Sequence, residues 1–220
     1  MNFKSDLQNV IKHNLARTLK LATFIALFSF SAHQARAAII TFDDVTTRQT
    51  SSIVDGYNGF DWSDIQVGGG TPAWWPGSGF ENGRVSEEYV AWAPGLIPQT
   101  ITLSAGGVFD FNGAYFTSAW NTGLNITVEG LLNGSVIYDS ALLFNTDIPT
   151  WFSLNFSAID ALRISAGGGV NAGLGGSGEF WVMDNFTFNE AIPGVPIPAA
   201  IWLFCSGLLG LVGMARRKKT

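Results

Sequence analysis

Chemistry in the middle of this chain has to be done by oxygen and by rings. Both histidines, His13 and His33, and the one cysteine, Cys205, lie near the ends, and residues 38–194 contain neither type. That removes Ser-His-Asp and Cys-His nucleophile systems in their usual forms. It also removes zinc on imidazole or thiolate, haem and iron–sulfur ligation, and any disulfide within this stretch. Carboxylate, Arg, Tyr, Trp and amide chemistry is left, together with oxygen-ligated Ca²⁺.

Two groups of residues have the types and spacing for that chemistry. Asp43-Asp44 follows the first apolar strand pattern, and Asp184-Asn185 lies in the last. A fold whose first and last strands are neighbours brings the four together. Carboxylates, an amide oxygen and backbone carbonyls then form the hard shell of a structural Ca²⁺ that staples the ends. The competing reading is turn and strand-end hydrogen bonding alone. The second group sits on a Gly/Pro-rich excursion from Gly68 to Pro98, where Trp74, Trp75 and Trp92 accompany Glu87, Glu88 and Tyr89. The indoles could form a flat platform for a sugar ring, with the acids and the phenol bonding its hydroxyls; alternatively they cap an open end of the core. Long loops in compact domains are disproportionately functional. A glycosidase would need a pair such as Glu87 and Asp110 facing a cleft about 5 to 9 Å apart.

The elements that must position these residues read as strands. Alternating or β-branched runs occur at Ala38 to Phe42, Phe60 to Val67, Thr100 to Leu103, Phe109 to Phe116, Leu124 to Leu131, Ser135 to Leu143, Trp151 to Phe156, Ala161 to Ser165 and Phe180 to Phe188. Gly, Pro, Asn and Asp clusters separate them, and no ten-residue stretch keeps a helical period. Asn133-Gly134 between two apolar strands calls for a type I′ hairpin. The pattern predicts an all-β, eight-to-ten-stranded antiparallel jelly-roll sandwich. The glycine excursion from Gly167 to Gly178 lacks a Gly-Lys-Ser/Thr ending and a following helix, so it is turn chemistry and not a phosphate loop.

Both ends of the chain read as targeting segments. Lys4, Lys12, Arg17 and Lys20 form a basic start, Leu21 to Phe30 is a short apolar core, and Ala35-Arg36-Ala37 has the small-x-small pattern of a signal peptidase site, with cleavage before Ala38. At the other end, Val195-Pro196-Ile197-Pro198 leads into an uncharged run from Ala199 to Ala215 and then Arg216-Arg217-Lys218-Lys219. As a helix that run spans roughly 25 Å, the short end of a membrane crossing, and the cations would stay in the cytoplasm. The organisation is therefore a signal peptide at 1–37, an extracytoplasmic domain at 38–194 and a membrane tail at 195–220. The central domain carries three arginines and no lysine against sixteen carboxylates. Such a charge repels nucleic acid and anionic headgroups.

The tail VPIPAAIWLFCSGLLGLVGMARRKK resembles the PEP-CTERM sorting signal of Gram-negative bacteria, with Ile197 where many members have Glu. The resemblance implies export by the Sec machinery, processing by signal peptidase, and recognition of the tail at the inner membrane by exosortase. Ile40-Thr41-Phe42-Asp43-Asp44, Gly56 to Trp62, Phe109 to Phe116, Pro149 to Phe152 and Trp181 to Phe186 are similar, in that order, to PEP-CTERM proteins with a galactose-binding-like sandwich. It implies a final place at the cell surface or in an extracellular exopolysaccharide matrix. Three functions compete: a non-catalytic surface protein that binds glycan, which the residues favour; a purely structural or adhesive surface protein; and a carboxylate glycosidase.

Overall fold

The computed structural model describes residues 38–46, 48–70 and 75–189. Their strands are β1 (Ala38–Ile40), β2 (Thr50–Ser52), β3 (Phe60–Trp62), β4 (Gln66–Gly69), β5 (Tyr89–Pro94), β6 (Gln99–Leu103) and β7 (Phe109–Ser118), followed by β8 (Asn121–Thr122), β9 (Leu124–Leu132), β10 (Ser135–Phe144), β11 (Thr150–Ile159), β12 (Ala161–Gly167), β13 (Val170–Asn171) and β14 (Phe180–Phe188). One helical turn, α1 (Gly79–Asn82), interrupts them. The predicted signal peptide, the tail from Val195 to Thr220 and Trp74 lie outside the described residues. Among the described residues no helix is long and apolar enough to cross a membrane.

Alternation builds the layers. In β12 the buried positions are Leu162, Ile164 and Ala166, every second residue, and in β9 they include Leu124, Ile126 and Val128. These side chains meet Phe111, Phe116, Trp181, Met183 and Phe186 from the facing layer in one apolar core. The result is an antiparallel β-sandwich. Its first sheet runs β11-β7-β14-β5-β4-β2, with β1 also on β14; its second runs β10-β9-β12-β6-β3; β13 and β8 form a small ribbon. The expected hairpin is present: Asn133 and Gly134 both have left-handed φ, 52° and 75°, between Leu132 and Ser135.

Two expectations are corrected. The run from Phe60 to Val67 is two strands in different sheets, because Asp64 takes φ 55° and turns the chain from β3 in the second layer to β4 in the first. The excursion from Gly68 to Pro98 is not one loop, since it contains β5, paired to both β4 and β14. From Tyr89 to Ala93 every residue of β5 is buried. The polar alternation expected of a one-sided strand is missing because the segment from Trp75 to Glu88 folds over the outer face of this sheet.

A buried polar bridge joins the layers. Trp181 Nε1 donates to Gln99 Oε1 at 3.0 Å, and Gln99 Nε2 donates to the carbonyls of Pro94 and Ile97. Gln99→Leu would leave the indole N–H unpaired in a dry core. The expected loss is about 2 kcal/mol, measured as a lower urea midpoint with an unchanged slope.

Candidate functional site

The covering segment is held by two carboxylates. Asp184 is fully buried, and its oxygens accept from Val85 N at 2.7 Å, Ser86 N at 2.8 Å, Ser86 Oγ at 2.9 Å and Asn185 N at 2.6 Å. Burial pushes this carboxyl above its ordinary pKa, while the donors from Ser86, Val85 and Asn185 pull it back down. Asp43 Oδ1 accepts from Glu88 N at 2.8 Å and Tyr89 N at 3.0 Å. Asp44 accepts from the Tyr57 hydroxyl at 2.5 Å. Loss of hydration and the Asp44 carboxylate push the Tyr57 hydroxyl well above its usual range.

These residues were expected as calcium ligands. The structure does bring Asp43, Asp184 and Asn185 to one region, because β1 pairs with β14 and both carboxylates grip the segment from Val85 to Tyr89. It uses Asp184 otherwise: with four donor groups its lone pairs are engaged by protein, and it holds a loop. Among the described residues no three His, Cys, Asp or Glu side chains are gathered as a cation would need. Asp43 Oδ2 and Asn185 Oδ1 are buried acceptors without a protein donor.

The rings form a separate structure. Phe80 of α1, Val90, Trp92, Ala119, Trp120 and Val182 make a second apolar cluster on the outer face of the first sheet. Ser78 caps α1, accepting from Phe80 N through Oγ and donating to the Trp75 carbonyl at 2.6 Å. Gly79 seats the turn so closely that a Cβ there would lie 1.9 Å from the Ser118 carbonyl oxygen. Above this base, Trp75 stands edge-on to Trp120, with ring centroids 5.3 Å apart at 87°. Trp120 is edge-on to Phe80 at 5.3 Å, and Phe80 to Trp92 at 5.5 Å. With Phe180, Gly176 and Ser177 they line a hollow of about 270 Å³. Trp75 is 43% exposed and has φ 55°, a backbone state rare for a bulky residue. Gly176 lies flat on Trp120; a Cβ would meet its ring carbons at 2.4 Å. Gly176→Val should therefore displace the ring and weaken the hollow, and the near-ultraviolet circular dichroism of the Trp75–Trp120 pair is expected to fall while the far-ultraviolet spectrum stays.

The predicted glycan site is thus divided. Trp75 and Trp92 belong to the aromatic hollow, with Trp92 mostly buried as its wall. Glu87, Glu88 and Tyr89 line a different, polar hollow of about 370 Å³ with Asp43, Thr46, Gln49 and Gly70. Tyr89 is a core residue there, its hydroxyl near Gly70. Asp110 lines neither of these two hollows and accepts from Ala158 N at 2.7 Å. Sequence reasoning missed Trp120, Phe80 and Phe180. Glycine at 176 is the trace they leave, since a ring needs bare backbone to lie on.

Fold and site together define an antiparallel β-sandwich with an aromatic hollow on its outer face. No protein-family model matches the chain, and no curated protein matches it. Solved structures similar to it include a DUF4465 family protein from Bacteroides caccae, 11% identical, covering 71% of this chain and 100% of that one with a TM-score of 0.42. TmCBM61 in complex with β-1,4-galactotriose is 12% identical and covers 61% of this chain and 92% of that one, TM-score 0.31. CBM51 from Clostridium perfringens GH95 in complex with methyl-galactose is 11% identical and covers 69% and 99%, TM-score 0.35. At these scores the likenesses carry no argument about ligand.

Proposed function

We propose that the protein is an exported, non-catalytic surface or matrix protein whose jelly-roll body binds a glycan in the aromatic hollow. The observation that carries this is Trp75: a large indole, nearly half exposed, held in a left-handed backbone state and braced edge-on by Trp120. Backbone strain of this kind costs on the order of 1–3 kcal/mol and persists where surrounding structure imposes it, characteristically at binding sites. A sugar ring presents an apolar C–H face to such an indole. Sixteen carboxylates against three arginines favour neutral glycans over acidic ones.

Export through Sec, cleavage before Ala38 and exosortase sorting on Val195–Pro198 and Arg216-Arg217 belong to this reading, supported by the resemblance of the tail. A structural Ca²⁺ would draw on Asp43 Oδ2 and Asn185 Oδ1, the buried acceptors without a protein donor, with backbone carbonyls and water completing its oxygen shell. Chelation is then expected to lower the melting temperature; an identical melt with and without chelator removes the ion from the account.

The experiment for the main claim is retention of the purified full chain on insoluble neutral polysaccharides and on the exopolysaccharide of its own host. Retention on at least one, displaced by the soluble form of the same glycan, is the expected result. Passage through all of them contradicts it. The purely structural reading is favoured by one observation, the exposed apolar side chains Val136, Ile137, Leu142 and Leu143 on the edge strand β10. It expects self-association in sedimentation and no glycan retention.

A further inference from the structure

We propose a second glycan contact on the first sheet, separate from the hollow, in which Trp151 and Tyr115 offer the stacking surface and Ser153 and Asn155, with Asn112 buried behind them, bond the hydroxyls of a neutral hexose chain. The register places it. Trp151 of β11 is directly opposite Tyr115 of β7, and Tyr115 is opposite Asp184 of β14, where the covering segment is fastened. Neither Tyr115 nor Trp151 belongs to the main core or to the second cluster. The two rings are 5.3 Å apart at 61°.

Trp151 is 38% exposed in a strand whose other large rings, Phe152 and Phe156, pack into the core. Its position depends on Gly113, where a Cβ would stand 3.0 Å from Trp151 Cζ2 and 2.3 Å from the Phe152 carbonyl oxygen. Gly113 also has φ 152°, so the site combines bare backbone with a conformation that side chains rarely adopt. The ring thus has a prepared seat.

Beside it the β-ladder is bulged between Ser153 and Phe156. In that bulge Asn155 takes φ 51°, and its amide meets Asn112 Nδ2 at 3.4 Å and Ser153 Oγ at 3.2 Å. Asn112 is only 4% exposed, which fixes the amide that Asn155 leans on. Bulges re-aim side chains and occur next to sites. Planar amides carry both donor and acceptor, the combination that vicinal hydroxyls need, and they carry no charge to select an acidic sugar. A cross-strand pair that only stabilises the sheet would account for the ring contact, but it does not require the exposed indole face beside an ordered amide row.

The test is hydroxyl-radical footprinting of the full chain in detergent, read by mass spectrometry, with saturating cellohexaose, mannohexaose or galactohexaose. With at least one of them, oxidation of Trp151 is expected to slow at least threefold. Trp75 is read in the same spectra, so failure of the hollow and failure of this contact are told apart. Unchanged oxidation of Trp151 with all three sugars overturns the proposal, whatever Trp75 does. In a Trp75→Ala background, Trp151→Ala is expected to weaken binding of the protecting sugar about tenfold, the size of a lost aromatic contact, with Trp151→Phe restoring most of it. Equal binding by Trp151→Ala overturns it too.

Discussion

Asp184→Ala is expected to release the segment that covers the outer face of the first sheet and to lower stability by about 3 kcal/mol. Hydrogen bonds to a charged group are worth about 1.5–3 kcal/mol each, and buried donors left unpaired cost about 1–3 kcal/mol. Here Val85 N, Ser86 N and Asn185 N lose their acceptor, and Ser86 Oγ is left with the Thr41 carbonyl. The sum is not reached, because a freed loop can turn its N–H groups to water. For a domain of this size the melting temperature should fall by about 6–12 °C. Amide exchange at Val85 and Ser86 should become fast while Val128 and Ile164 in the second sheet stay protected. A variant with those two amides still protected would mean that something other than Asp184 holds the loop.

The same carboxyl predicts a pH dependence with a definite sign. Its pKa is raised in the folded state above the ordinary value of 3.8 by burial. The folded protein therefore binds this proton more tightly than the unfolded chain does. The resulting stabilisation is complete below the ordinary value and is lost as the pH rises through the folded value. Asp184→Asn has no such group, so the stability gap between wild type and variant should be widest at acid pH and narrow as pH increases. A gap that widens with pH would show that the donors outweigh burial.

Gly79→Ala should disable the aromatic hollow without altering one of its rings. A Cβ at 79 would lie 1.9 Å from the Ser118 carbonyl oxygen and 2.6 Å from its carbon. Both are backbone atoms at the end of β7, which cannot give way as a side chain tip would. α1 must lift, and with it Phe80, whose ring supports Trp92 and Trp120. Overpacking of this kind costs about 1–3 kcal/mol. The larger effect is on ligand: glycan affinity is expected to drop at least tenfold, roughly the 1.4 kcal/mol of one decade. The main core, which shares no residue with this cluster, should keep its near-ultraviolet signature from Trp62 and Trp181.

Much of the fold was legible because local chemistry and tertiary position agree. β9, β12 and the Asn133-Gly134 hairpin show a clean period of two and the turn residues their geometry demands. β5 was not legible. Tyr-Val-Ala-Trp-Ala is buried on both faces, so alternation vanishes, and its neighbours are the glycines and prolines of a loop. The site was half legible for the same reason. Trp75 stands out on an irregular stretch, but Trp120 and Phe180 join it only through pairings between strands distant in sequence, such as Trp92 with Val182. The convergence of Asp43 and Asp184 was readable from their places just after the first strand and within the last. Hydrogen bonding was the competing reading of them, but its donors were not readable, because they depend on where the N–H groups of residues 85–89 arrive.

The central claim is that an exposed, strained indole binds glycan, and calorimetric titration of wild type and Trp75→Ala with the retained polysaccharide tests it most directly. Trp75 is nearly half exposed and belongs to neither apolar cluster, so the variant should melt within about 2 °C of wild type. Saturable heat is expected in wild type and at least a tenfold weaker titration in Trp75→Ala. Equal titration curves for the two folded proteins would contradict it.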